Sequence, residues 1–113
     1  MRGHLRIKFV SLCMGLLLSS ALWASDPIWI DVRTSDEYSS GHVSEATNIP
    51  YTEIAENISS VTEDKDALIY VYCRSGRRSG IAKGTLEGMG FTQVVNVGGF
   101  EDAKSRHDSE TAK

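Results

Sequence analysis

Between Cys73 and Gly80 the chain places one cysteine, three arginines, two glycines and two serines in eight positions, CRSGRRSG. A free thiol has a pKa near 8.5 and is only a few per cent ionised at neutral pH, so a lowering of about 1.5 units or more turns it into a nucleophile. Two features of this stretch favour the thiolate. The guanidinium groups of Arg74, Arg77 and Arg78 supply positive potential, and the N–H groups at the start of a following helix lack helical partners and point toward negative charge. No general base is needed under that arrangement, and none is offered by a histidine close in sequence. The same cradle attracts a small dianionic substrate. The bland readings of Cys73 are a core filler that behaves as a small hydrophobe and an ordinary solvated Arg-Ser-Gly turn.

The elements around the cysteine decide between these readings. ALIYVY (Ala67–Tyr72) is a nearly continuous apolar run of strand length, rich in residues that favour sheets, and reads as a buried, central, parallel strand. Cys73 then stands at its carboxyl end, where open α/β sheets bind ligands. Gly76 makes the turn, and the helix that follows is expected to begin around Ser79 or Gly80. In that helix Ile81, Ala82, Thr85, Leu86 and Met89 form one apolar stripe, and Gly90 is its stop.

The remaining pattern alternates in the same way. IWIDV (Ile28–Val32) reads as a first strand, and Thr34–Glu37 is a capping box opening a short helix that Gly41 ends. A short extended piece reaches Pro50, followed by a helix with Thr52 as N-cap and apolar residues at 54, 58 and 61. TQVVNV is a further strand, and a helix begins near Phe100 with a polar, frayed end. Short strands alternating with helices, at spacings too long for hairpins, give an α/β domain with a mostly parallel sheet and helices on both faces.

The first 24 residues read differently. Basic Arg2, Arg6 and Lys8 precede a run without charge from Phe9 to Ala24, shorter than a membrane span needs and ending in small residues. This is the pattern of a cleavable signal peptide over residues 1–24, with cleavage after Ala24 or after Ala21, and residues 25–113 form one domain delivered to the periplasm. Removing the leader changes the formal charge from −3 to −6. An acidic domain whose arginines gather in one loop is unsuited to nucleic acid, and no stable membrane association is expected after cleavage. Only Cys73 remains of the two cysteines, so no internal disulfide forms, and Cys73, His42 and His107 lack the spacing of a zinc site. A monomer without metal or cofactor is expected.

The early segment IDVRTSDEYSSGHVSEATNIP, the loop CRSGRRSG and the later NVGGF together resemble the single-domain rhodaneses, over about residues 28–102. The resemblance implies a thiosulfate sulfurtransferase in which Cys73 attacks the outer sulfur of thiosulfate, releases sulfite and becomes a persulfide. Cyanide or a thiol then removes that sulfur. The loop residues Arg74, Ser75, Gly76, Arg77, Arg78 and Ser79 would form the substrate-binding set, with at least one arginine pointing outward. Asp31 and Arg33, two apart at a strand end, are read as tying the next loop, His42 as a packing residue, and Trp29, Tyr70 and Tyr72 as core or rim. A cysteine phosphatase or arsenate reductase is disfavoured, because those enzymes resemble C-x5-R and the corresponding position here is Ser79. A persulfide carrier without turnover of free thiosulfate is the other alternative.

Overall fold

The computed structural model describes residues 26–112, so the segment read as a leader lies outside the described residues. Four strands, β1 (Ile28–Asp31), β2 (Thr47–Asn48), β3 (Leu68–Tyr72) and β4 (Gln93–Gly98), form one parallel sheet in the order β2-β1-β3-β4. The apolar run expected to be central is central. Its alternation serves two cores at once, as a parallel strand covered on both faces requires. Ile69, Val71 and Cys73 face one cluster with Ile30, Val32 and Val94, while Tyr70 and Tyr72 face another with Trp29.

Helices cover both faces. On the first lie α2 (Ile54–Asn57), through Ile54 and through Ile58, the residue that follows it, and α3 (Arg77–Gly88), through Ala82 and Leu86. On the second lie α1 (Ser35–Ser39), through the half-buried Tyr38, and α4 (Phe100–Thr111), through Ala103 and Phe100. The capping box forms as read: the Glu37 N–H donates to Thr34 Oγ1 at 3.2 Å and the Thr34 N–H to Glu37 Oε1 at 3.0 Å. Trp29, Tyr70 and Tyr72 are all core residues.

Several boundaries differ from expectation. The segment after Pro50 is not one helix capped by Thr52. It is a 3-10 turn at Tyr51–Glu53, the short α2 and a second 3-10 turn at Ile58–Ser60, and Thr52 sits inside the first turn. Burial of Ile54 and Ile58 suits either form of the backbone, which is why the apolar spacing alone did not separate them. The stripe on α3 is narrower than read. Ala82 and Leu86 are fully buried, whereas Ile81 and Met89 are 44% and 36% exposed, because only one narrow side of α3 rests on the sheet. Helix α4 continues to Thr111 instead of fraying early, aided by the Thr111 hydroxyl, which donates to the His107 carbonyl at 2.8 Å.

This narrow contact gives a direct check. Leu86→Ala leaves a cavity under α3 and is expected to cost about 2–5 kcal/mol, whereas Ile81→Ala changes stability by no more than about 0.5 kcal/mol in urea unfolding.

Candidate active site

Cys73 leaves the end of β3 with its side chain on the α3 face, and the residue is only 1% exposed. Just before it the pairing of β3 with β4 slips by one residue, Val71 standing opposite Asn96 and Tyr72 opposite Gly98. Such a bulge re-aims the strand end. Here it lets the Cys73 N–H donate to the Gly98 carbonyl at 3.1 Å, which anchors the first residue of the loop to β4.

The chain then turns in three residues. Gly76 adopts φ +104°, a left-handed conformation that favours glycine, and serves as the N-cap of α3. The helix therefore begins at Arg77, two or three residues earlier than expected, because a glycine turn of that kind feeds directly into a helix without a capping side chain. Arg77 and Arg78 belong to its first turn, and the loop proper is Arg74–Gly76. The turn also depends on a neighbour. A Cβ on Gly99 would stand 2.4 Å from the Arg74 carbonyl oxygen, so only glycine permits the approach.

This folding aims the loop at the sulfur. The Gly76 N–H donates to Cys73 Sγ at 2.9 Å and the buried Ser79 hydroxyl lies 3.4 Å from it. Burial pushes the Cys73 thiol up, but hydrogen bonds from the Ser79 side chain and from the N–H groups of Ser79, Gly76 and Ser75 outweigh it and bring the pKa down to about 7. The amides and the hydroxyl, more than the arginines, make the thiolate.

The three arginines separate into two kinds. Arg78 is held by a bidentate pair to Glu37 of α1, at 2.8 and 3.0 Å, which keeps the Glu37 carboxyl down at about 2. The same carboxylate, and more weakly the charge on Cys73, keeps Arg78 above its ordinary value. Arg74 and Arg77 are exposed, and among the described residues neither makes a side-chain hydrogen bond. A cavity of about 440 Å³ opens beside the loop, lined in part by Glu37, Arg74, Ser75, Gly99 and Phe100.

Around this centre, Asp31 and Arg33 form a buried ion pair at 2.7 Å. Arg33 also donates to the Gly41 carbonyl at 2.6 Å and lies over the Phe100 ring, tying the loop after β1 to the start of α4. His42 stacks on Tyr38 with its Nδ1 at 2.8 Å from the Tyr38 carbonyl, and His107 pairs with Glu45. Neither histidine contacts Cys73. Residues that the sequence reading held only within the NVGGF motif, Asn96, Gly98 and Gly99, prove to be the loop's main external supports. Their contacts join residues 17 to 25 apart in the chain, and a motif shows no such pairing.

A family model described as the rhodanese-like domain matches residues 17–106. The chain belongs to the rhodanese-like family. It is 43% identical over 91 residues to thiosulfate sulfurtransferase PspE of Escherichia coli, covering 80% of this chain and 86% of that protein. It is also 35% identical over 94 residues to thiosulfate sulfurtransferase GlpE of Pseudomonas entomophila, covering 82% of this chain and 84% of that one. Among solved structures, a rhodanese with anions from E. coli superposes with a TM-score of 0.66 at 45% identity, over 68% of this chain and 91% of that one.

For this rhodanese, alkylation of Cys73 by iodoacetamide should reach half its maximal rate near pH 7, well below an ordinary thiol. The folded-state value is depressed, so the thiolate contributes stability that is full above the thiol's ordinary pKa and is lost as pH falls through about 7. The stability gap between wild type and Cys73→Ser should accordingly widen from pH 7 to pH 9. Gly99→Ala should displace the loop and raise the alkylation midpoint.

Proposed function

We propose that the chain is an exported thiosulfate sulfurtransferase that works through a persulfide on Cys73. The observation that carries the reading is the Cys73 sulfur, enclosed at the end of β3 and met by the Gly76 N–H at 2.9 Å with a pKa of about 7. Sulfur transfer is the chemistry that the family membership supports, and the two relatives described above are named for it.

In the first step the Cys73 thiolate attacks the outer sulfur of thiosulfate. A bond forms between the two sulfurs, the bond to the sulfonate sulfur breaks, and sulfite departs with the electron pair. In the second step a thiophilic acceptor, cyanide or a thiolate, attacks the outer sulfur of the persulfide. Thiocyanate or an acceptor persulfide leaves, and the Cys73 thiolate returns. The amides and hydroxyl that favour the thiolate also stabilise it as the leaving group of this second step, so attack and release share one electrostatic device.

The exposed Arg74 and Arg77, without a side-chain hydrogen bond among the described residues, draw in the dianion and hold its sulfonate end. Arg78, neutralised by Glu37, fixes the loop against α1. The E. coli rhodanese solved with anions is consistent with an anion-binding loop. Residues 1–24 act as a signal peptide and deliver residues 25–113 to the periplasm, where the domain works as a monomer.

Turnover of thiosulfate with cyanide should be measurable for wild type and absent for Cys73→Ser, and activity retained in that variant would sink the mechanism. Intact-mass measurement of the exported protein after exposure to thiosulfate should show a start at Ser25 or Leu22 and a gain of one sulfur atom on Cys73. A protein inert toward thiosulfate and 3-mercaptopyruvate but loaded by a persulfide donor would be a carrier instead.

A further inference from the structure

The Ser79 hydroxyl has one proton and three acceptors within reach. Cys73 Sγ lies at 3.4 Å, the Gly76 carbonyl oxygen at 3.2 Å and Asn96 Oδ1 at 2.7 Å. The shortest contact is to the asparagine, and the orientation of that amide is fixed at both ends. Its Oδ1 also accepts from the Gly98 N–H at 3.0 Å, and its Nδ2 donates to the Gly76 carbonyl at 3.0 Å. Asn96 therefore bridges β4, the Gly76 turn and the Ser79 hydroxyl that touches the sulfur. It reaches the α3 face because it stands two residues beyond Val94 on the same side of β4.

We propose that Asn96 is a positioning residue that acts through Ser79, holding the hydroxyl proton while Cys73 is a thiol and releasing it to the sulfur when the sulfur is charged. Two physical features allow the exchange. A hydrogen bond to an ionised acceptor is about twice as strong as one to a neutral acceptor, so a thiolate competes for the proton where a thiol does not. Neither alternative acceptor is orphaned when the proton leaves it. Asn96 Oδ1 keeps the Gly98 N–H, and the Gly76 carbonyl keeps Asn96 Nδ2 and the Gly80 N–H at 3.1 Å.

The charged groups about the sulfur are arranged so that this exchange can be read separately. Arg78 is engaged by Glu37, Arg74 and Arg77 are exposed on the loop and on the first turn of α3, and His42 and His107 are bonded to Tyr38 and Glu45. Asn96 is itself exposed on its outer side, so its replacement does not empty the core. The consequence for turnover rests on the proposed persulfide chemistry, whereas the proton exchange does not.

The test is the pH midpoint of Cys73 alkylation by iodoacetamide in four proteins: wild type, Asn96→Asp, Ser79→Ala and the double variant. A carboxylate at position 96 keeps the shape of the acceptor but binds the Ser79 proton too firmly to release it. Asn96→Asp should raise the midpoint by about one unit, a roughly tenfold lower thiolate to thiol ratio well below it, and Ser79→Ala should raise it as well. With Ser79 already removed, Asn96→Asp should add less than about half of its single-variant shift. Ser79→Thr, which keeps the hydroxyl, should restore the wild-type midpoint. Equal shifts in the two backgrounds would mean that position 96 acts by charge alone and would overturn the proposal, as would no shift at all. Alkylation needs no sulfur donor. A protein that shows this coupling but gains no sulfur from thiosulfate would therefore support the role of Asn96 while removing the substrate reading.

Discussion

A sulfur almost wholly withdrawn from water has its pKa brought down to about 7 by a short stretch of backbone and one hydroxyl. Burial alone would drive Cys73 the other way, toward the neutral thiol. What reverses it is a set of N–H groups and one hydroxyl, all within six residues of the sulfur, none of which requires a charged side chain beside it. Such an arrangement works only if the turn is tight, and the turn is tight only because other parts of the chain hold it closed. The Gly98 carbonyl takes the Cys73 N–H, and Gly99 offers no Cβ where the Arg74 carbonyl must pass. The bulge in β4 is what presents both glycines to the loop.

The rest of the architecture can be understood as a frame for that turn. Central β3 makes contact on both faces, so its carboxyl end has little freedom to shift. On the first face Ala82 and Leu86 seat α3 against the sheet and set where its N-terminus points. On the second face the Asp31–Arg33 pair uses a buried charge for position: Arg33 reaches the Gly41 carbonyl and the Phe100 ring, and so joins the loops that flank the cradle. Pairs of this kind gain little net stability over apolar packing, and a role in fixing neighbouring backbone fits their geometry better.

The fold class and the placing of Cys73 at a strand end before a glycine turn were legible because both are local patterns. An apolar run ending in a cysteine, a glycine turn and a helix stripe follow one another directly along the chain, and the Thr34–Glu37 capping box and the Asp31–Arg33 pair are shorter still. What was not legible depends on distance along the chain. Glu37 and Arg78 are 41 positions apart, Asn96 and Gly76 are 20 apart, and nothing in either neighbourhood announces the other. The helix start was misplaced for a related reason. Ser79 has the chemistry of an N-cap, but its hydroxyl is engaged by Asn96 and the sulfur, and a left-handed glycine does the capping. The three arginines looked equivalent until one of them found a carboxylate.

The same geometry reframes the contrast between sulfur and phosphate chemistry. A C-x5-R loop would place its arginine where Ser79 stands, a position fully buried and bonded to Asn96 Oδ1 and, on the other side, to the sulfur. A guanidinium there would have to break both contacts and enter a space built for a hydroxyl. The amides here converge on Sγ itself, which suits the proposed attack on an atom that projects toward it, whereas a phosphate loop must wrap its amides around a whole tetrahedral ion. Loop length is thus the sequence-level trace of a deeper difference: which atom the backbone N–H groups are arranged to surround.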